Sequence, residues 1–241
     1  MEYKILITAR LKSKRLKNKI IRKINKNQTI IEYIIKKLKK NFKHKNIILI
    51  TSKNKQDDKL CKICKQQNIK FFRGSAIDVL KRINDTCQKF KFKNIITITA
   101  DNPLIDIKNL KMLFNNHCKN NNDFSESIGM PVGTYGYCLK VSAVNKILKT
   151  KKIKDTEIWG DFFRKNKNFN CKKYFFKNYS DIKDLRLTVD YKKDLLLIRK
   201  ILKISKNNYP TIDNIYKIWI KNNAIFEINK NLYQKKKFLS Y

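Results

Sequence analysis

A chain of 241 residues can bury one sizeable core, and we expect a single α/β domain. Its 57 basic and 19 acidic residues give a formal charge of +38, but the lysines are scattered through every segment, and codon bias explains them without a dedicated nucleic-acid partner. No apolar run is long enough to span a membrane, and six cysteines without a signal peptide predict a reduced, cytoplasmic protein.

Short β-branched runs alternate with amphipathic stretches in the first half, which predicts a mostly parallel sheet flanked by helices. Strands are predicted over residues 4–8, 46–51, 69–72 and 94–100, and helices over residues 29–42, 57–67, 75–90 and 107–118. The second half is more irregular. There we predict strands over residues 135–140, 171–176 and 185–189, and helices over residues 142–149, 155–165, 192–204 and 212–222.

The first strand runs into a basic loop that carries Arg10, Arg15 and Lys19 and no carboxylate. Guanidinium and ammonium groups bind phosphate oxygens, and strands of a parallel sheet present ligand sites at their carboxyl ends. A nucleotide is therefore a candidate ligand. The alternative is a solvated basic turn of the kind that a lysine-rich chain has in many places.

Two aspartates, Asp101 and Asp190, each follow an apolar run that we predict as a strand. In a parallel sheet both carboxylates would lie at the same edge as the basic loop. Two carboxylates beside a polyphosphate form a natural Mg²⁺ site, because this cation takes a few carboxylate oxygens and completes its shell with phosphate and water. For either aspartate alone, a helix cap or turn is the simpler interpretation.

Two other features give weaker signals. Four of the five glycines lie between Gly129 and Gly160, which indicates either a ligand-facing backbone or an ordinary turn. Cys61 and Cys64 form a C-x-x-C pair inside a helical pattern, without a second pair at metal spacing. We therefore predict no zinc or redox site.

Four segments resemble motifs of the cytidylyltransferase family, which includes spore-coat polysaccharide biosynthesis protein F and, more distantly, the CMP-acylneuraminate and CMP-3-deoxy-manno-octulosonate synthetases. Residues 9–19 resemble A-R-x-G-S-x-R-L-P-G-K, and residues 72–82 resemble F-R-G-S-x-x-D-V-L-x-R. Residues 98–106 resemble I-T-G-D-x-P-L-I-D, and residues 185–195 resemble L-R-L-T-V-D-x-x-x-D-L. The motifs occur in family order.

The resemblance implies a single-domain, Rossmann-like nucleotide-diphospho-sugar transferase fold of the GT-A type. It implies a nucleotide-binding half over residues 1–120, an acceptor-binding half over residues 121–225 and a basic tail over residues 226–241. It further implies a CTP-dependent nucleotidyltransferase that activates a sugar acid or related sugar for surface polysaccharide synthesis. Relatives of this family commonly pair, so a homodimer is expected, although no segment of the sequence marks an interface.

The resemblance also assigns residue roles. Arg10, Lys19 and Asp101 would be catalytic, and Asp101 and Asp190 would hold Mg²⁺. Nucleotide binding would fall to Ala9, Arg10, Ser13, Arg15, Lys19, Arg73, Gly74, Ser75, Asp78 and Arg82. The acceptor region, residues 129–159, matches no relative of known substrate, and we take Gly133, Tyr135 and Arg186 as candidate acceptor-binding residues. The chain departs from the family in the basic loop, where Lys12, Lys17 and Asn18 replace Gly, Pro and Gly.

Two alternatives stay open at this point. A glycosyltransferase of the same fold would bind a nucleotide sugar instead of making one. A nucleic-acid-binding protein, suggested only by the charge of +38, is the more remote alternative.

Overall fold

The computed structural model describes residues 2–232. Its seven strands are β1 (Ile5–Thr8), β2 (Ile47–Ser52), β3 (Lys70–Gly74), β4 (Asn94–Thr99), β5 (Phe124–Ile128), β6 (Tyr137–Lys140) and β7 (Cys171–Phe175). The α-helices of this part of the chain are α1 (Ile30–Lys39), α2 (Asp58–Gln66), α3 (Val79–Phe90), α4 (Ile107–Lys119), α5 (Val141–Thr150), α6 (Asp161–Arg164), α7 (Lys192–Ile204) and α8 (Ile212–Lys221). Short 3₁₀ segments include Lys19–Ile21 and Asn223–Asn229.

The strands form one sheet in the order β3-β2-β1-β4-β6-β5-β7. Strands β1 to β4 are parallel to their neighbours, β6 runs antiparallel to β4 and β5, and β7 is parallel to β5. Helices α1, α2, α4, α7 and α8 cover one face, and α3, α5 and α6 cover the other. The predicted single-domain α/β fold with a mostly parallel sheet is therefore confirmed.

Helix α3 begins later than predicted, because Asp78 is its N-cap. The Asp78 side chain accepts a hydrogen bond from the backbone N–H of Lys81 at 3.0 Å, and Ser75–Asp78 form a turn before the helix. The predicted helix over residues 155–165 was wrong except at Asp161–Arg164. Thr156 instead donates its backbone N–H to the carbonyl of Ile77, and this tertiary bond keeps the segment out of a helix.

Two strand assignments also needed correction. Residues 185–189 are not a strand, because Leu187 and Val189 donate their backbone N–H groups to loop carbonyls at Val132 and Asp101, with distances of 2.7 and 2.8 Å. Strand β5 went unpredicted. Its segment FSESI has little apolar character, because its serines face buried polar side chains of α4.

The C-terminal part of the described chain packs on the sheet domain. Residues 226–229, which we predicted as the start of a basic tail, belong to the 3₁₀ segment Asn223–Asn229, and Phe226 is buried in the core. Residues 233–241 of that predicted tail lie outside the described residues. Across residues 2–232 no helix has the length and apolar character needed to cross a membrane.

Candidate active site

Lys19 joins the two aspartates that the sequence singled out. Its Nζ lies 2.6 Å from Oδ2 of Asp101 and 2.7 Å from Oδ1 of Asp190. Arg15 donates to the same Asp190 oxygen at 2.7 Å. The basic loop and both carboxylates therefore meet in one charge cluster at the carboxyl edge of the sheet.

The segment that leads to Asp190 crosses the end of β4. Its Val189 N–H bonds the carbonyl of Asp101, two residues after that strand, at 2.8 Å. On the other side, Asn18 adopts φ +55° and starts the short 3₁₀ turn that carries Lys19. Asn tolerates this left-handed conformation better than other non-glycine residues, so replacement of the family glycine at this position preserves the turn.

A buried carboxylate, Asp194, orients Asp190. Asp194 accepts hydrogen bonds from the backbone N–H groups of Asp190 and Tyr191 at 2.8 and 2.9 Å and from Nε of Arg186 at 3.1 Å. Arg186 in turn donates to Asp190 at 2.6 Å. Asn229, in the C-terminal 3₁₀ segment, donates to Asp194 at 2.8 Å. Asp194 falls within the fourth motif, whereas no sequence signal pointed to Asn229.

The cluster keeps its members charged. Burial alone would lower the pKa of Lys19, but the two adjacent aspartates raise it above the ordinary lysine value. Burial works to raise the pKa of Asp190, yet Lys19, Arg15 and Arg186 hold it below the usual aspartate value. Lysine and aspartate are thus both ionised at neutral pH, and their charges offset one another.

The basic loop is held in place by Asp57, an aspartate that the sequence did not suggest. Asp57 is fully buried, accepts the backbone N–H of Leu11 at 2.8 Å and also bonds the hydroxyl of Ser52. The N–H of Ala9 bonds the carbonyl of Ile50 at 3.0 Å, and the hydroxyl of Ser13 accepts the N–H of Leu16 at 3.4 Å. The bonds of Ala9 and Leu11 tie the start of the loop to β2 and to the segment after it, and the Ser13 bond lies within the loop.

Arg10 lies further along the same edge and forms an ion pair with Glu157. Glu157 belongs to the segment that follows α5, so Arg10 contacts the second half of the chain. Arg10 also donates to the carbonyl of Ala76 at 3.4 Å. It therefore borders the second motif.

The second motif splits into two parts. Arg82 is buried and donates to the carbonyl of Ser75 at 2.8 Å, and Gly74 packs against it. Burial, together with the nearby Arg10, lowers the pKa of Arg82 to about 10. Arg73 does not join this group, because its guanidinium is held by the carbonyls of residues 52 and 54 and by the carboxylate of residue 58 on the outer edge of the sheet.

The three predicted acceptor residues do not lie together in the structure. Gly133 adopts φ +100°, and a Cβ there would lie 2.4 Å from the backbone of Leu187 and Thr188, so only glycine fits this crossing. Tyr135 is half-buried and contacts Tyr137. Arg186 belongs instead to the Asp190 and Asp194 network.

The two aspartates that flank Lys19 are suited to a hard divalent cation. One oxygen from each carboxylate already converges on a single positive group, which is the donor set that Mg²⁺ or Mn²⁺ takes when phosphate and water complete its shell. Residues 2–232 contain no cluster of three or more His, Cys, Asp or Glu side chains that would hold a metal by themselves. A metal here would depend on oxygens from a ligand.

A cytidylyltransferase family model matches residues 4–240. The chain belongs to the cytidylyltransferase family. An uncharacterized protein of Methanocaldococcus jannaschii, MJ1063, is 31% identical over 95% of each chain. The spore coat polysaccharide biosynthesis protein SpsF of Bacillus subtilis is 27% identical over 62% of this chain and 64% of that protein. Family membership identifies the protein as a nucleotidyltransferase, as predicted.

Solved structures agree with the fold. A cytidylyltransferase from Leptospira borgpetersenii superimposes with a TM-score of 0.85 at 24% identity and covers 98% of this chain and 100% of that one. A CMP:2-keto-3-deoxy-manno-octonic acid synthetase, solved with CTP, gives a TM-score of 0.65 at 11% identity over 84% of this chain and 99% of that one. At these identities the matches show the shared fold.

Proposed function

We propose that the protein transfers CMP from CTP to a sugar acid or a related sugar and releases pyrophosphate. The observation that carries the proposal is the Lys19 bridge between Asp101 and Asp190, next to the basic loop. An oxygen of the acceptor would attack the α-phosphorus and form a new P–O bond. The bond from that phosphorus to the β-phosphate oxygen would break, and pyrophosphate would leave. Membership of the family favours this reaction over glycosyl transfer.

The charge cluster gives a physical role to each basic residue. Three basic side chains face three carboxylates, so the cluster is balanced before any ligand binds; they are Arg15, Lys19 and Arg186 against Asp101, Asp190 and Asp194. If Arg15 and Lys19 turn to the triphosphate, Asp101 and Asp190 become available to a divalent cation. Bound there, Mg²⁺ would supply charge neutralisation at the reacting phosphate.

The remaining loop residues would hold the triphosphate in place. Arg10 and Ser13 flank the same loop, and its exposed lysines Lys12 and Lys17 add positive charge where the family has Gly and Pro. Added charge of this kind attracts a polyanion even where the backbone approaches it less closely. We keep Gly74, Ser75, Asp78 and Arg82 as the residues that border the base and ribose.

The acceptor class rests on relatives. One is named for spore coat polysaccharide biosynthesis, and one neighbour in fold is a synthetase for a CMP-linked sugar acid. We also propose a cytoplasmic location, which fits six free cysteines, and a homodimer, which light scattering would test.

The test is pyrophosphate release with Mg²⁺, measured for the four common nucleoside triphosphates against a panel of sugar acids and sugar phosphates. Release with CTP and one acceptor would support the proposal. Release with another nucleotide, or none with any combination, would contradict it. Thermal melting with CTP and with CMP-sugars adds an independent readout, because a glycosyltransferase would be stabilised more by the CMP-sugar.

A further inference from the structure

A stretch of the sheet between the basic loop and β6 is open at its carboxyl edge. Thr97 on β4 is in register with Tyr137 on β6, and its hydroxyl lies 3.5 Å from that of Thr8 on β1. Neighbouring strands are about 4.8 Å apart, so Tyr137 stands about 10 Å across the sheet from Thr8. Thr97 itself is 3% exposed, whereas Thr99, which points to the same face two residues later, is exposed. The sheet is therefore open from Thr99 to its carboxyl edge.

Aromatic side chains form one wall of this space. The Tyr137 ring lies 5.4 Å from Trp159 and 6.0 Å from Tyr135, measured between centroids, and both contacts are edge to face. The guanidinium of Arg164 lies over the Tyr137 ring, 6.0 Å from its centroid. We call Tyr135, Tyr137 and Trp159 the aromatic wall. It presents partly exposed ring surface with polar groups at its edges.

The aromatic wall is backed by a fixed ion pair. Arg164 makes three hydrogen bonds of 2.6 to 3.0 Å to the nearly buried carboxylate of Glu126, and its guanidinium lies over the rings of Phe124 and Tyr137. A guanidinium held in this way cannot swing freely, so it fixes the orientation of the Tyr137 ring. The wall is thus preorganised and needs no ligand to form.

One segment connects the aromatic wall to the basic loop. In the segment between α5 and α6, Glu157 pairs with Arg10, and Trp159, two residues later, packs on Tyr137. Thr156 anchors the segment, because its hydroxyl bonds the carboxylate of Asp78 at 2.8 Å. The space above Thr99 therefore has the predicted phosphate-binding residues on one side and aromatic rings on the other.

We infer that this space binds the acceptor, and that the acceptor is a sugar whose ring packs against the aromatic wall. A sugar ring has an apolar face of C–H groups and an edge of hydroxyls. The wall matches both, with ring surface for the face and tyrosine hydroxyls for the edge. The inference rests on the proposed function, since it names the residues that select the acceptor. It adds Tyr137 and Trp159 as specificity-determining residues.

The two tryptophans of the chain allow a direct test. Trp219 lies on α8, stacks on Tyr216 and packs in the cluster of Met130, Ile182 and Ile212, which Tyr135 borders, whereas Trp159 and Tyr137 pack in a different cluster. Trp219→Phe leaves Trp159 as the single reporter, and Trp159→Phe leaves Trp219 as the matched control. Each protein is titrated with N-acetylneuraminate, 3-deoxy-manno-octulosonate, glucuronate and glucose 1-phosphate in the presence of CMP, which has no pyrophosphate to release. We expect one sugar to give a saturable change in Trp159 emission and none in Trp219 emission.

Steady-state kinetics with the sugar that the enzyme uses as acceptor provide a second test. Trp159→Ala is expected to raise the acceptor KM about ten-fold, and Tyr137→Phe, which keeps the ring, about five-fold, while the KM for CTP stays within about two-fold. Tyr216→Phe is the control and should change neither KM. The tyrosine variant keeps the test valid if the tryptophan variant folds poorly.

The outcomes separate the inference from the proposed function. Pyrophosphate release with a sugar that leaves both Trp159 emission and the variants' acceptor KM unchanged would overturn the inference alone. Absence of release with every acceptor would overturn the proposed function and the inference with it. A sugar that is turned over and also saturates the Trp159 signal would support both.

Discussion

Asn229 donates a 2.8 Å hydrogen bond to Asp194 and thereby connects the C-terminal 3₁₀ segment to the carboxylate that orients Asp190. The same amide also donates to the backbone carbonyl of Arg186 at 2.9 Å. Asn229 is 3% exposed and Asp194 is fully buried. A residue near the end of the described chain thus determines the geometry of a site built from the first loop and two distant motifs.

Substitution of this asparagine should weaken both the fold and the site. Asn229→Ala removes two buried hydrogen bonds, one to Asp194 and one to the carbonyl of Arg186, so we expect the free energy of unfolding to fall by about 2 kcal/mol. We also expect kcat for pyrophosphate release to fall more than the KM for CTP changes. Asn223→Ala, an exposed position at the start of the same segment, is the control and should behave like the wild type.

The aspartate after β4 should be essential. Asp101→Asn keeps the shape of the side chain but removes the charge that faces Lys19, and we expect pyrophosphate release to fall by about 100-fold or more. The melting temperature should change little, because Asp101 is partly exposed. Asp85→Asn on α3, whose carboxylate pairs with Lys81 on the surface, is the control. An active Asp101→Asn protein would contradict the metal assignment.

The ion pair between Arg10 and Glu157 should compete with CTP. Glu157→Gln removes the carboxylate that occupies the Arg10 guanidinium, so we expect the Kd for CTP to fall by about two- to five-fold, as an exposed pair of this kind contributes at most about 1 kcal/mol. Isothermal titration calorimetry measures the change. Glu227→Gln, which breaks an exposed pair with Lys230 elsewhere, should leave the Kd unchanged. Weaker CTP binding by Glu157→Gln would show that the pair supports the site.

Stability should rise with pH because of one buried lysine. Burial lowers the pKa of Lys37 from 10.5 to about 8. Between pH 8 and 10.5 the unfolded chain binds a proton at this residue that the folded chain does not, so the free energy of unfolding rises through this range. The gain is about 3 kcal/mol, since each pKa unit corresponds to about 1.4 kcal/mol.

Lys37→Met isolates this effect from the other lysines. The variant should be more stable than the wild type at pH 7 by up to about 3 kcal/mol, and the difference should vanish near pH 10.5. Chemical denaturation at several pH values measures it. Lys36→Met, at the exposed neighbouring position, should follow the pH dependence of the wild type. A pH-independent difference would mean that the fold does not lower the pKa of Lys37.

Local patterns predicted the elements whose apolar residues repeat within a short window. The helix over residues 192–204 has the predicted bounds, and the parallel strands of the first half differ from prediction by a residue or two at their ends. Strand β5 and the segment before Asp190 were mispredicted for opposite reasons. The first has polar residues on a buried face, and the second has an apolar run whose backbone bonds go to loops.

The sequence alone determined the α/β class, the family motifs and the chemical types that surround the first loop, because these depend on composition and on neighbours in the chain. Only the tertiary structure decided that Lys19 lies between Asp101 and Asp190, that Arg73 is held at the outer edge and that Asn229 completes the network. Such contacts join residues far apart in the chain. Their partners are selected by sheet order and crossing geometry, which no local pattern encodes.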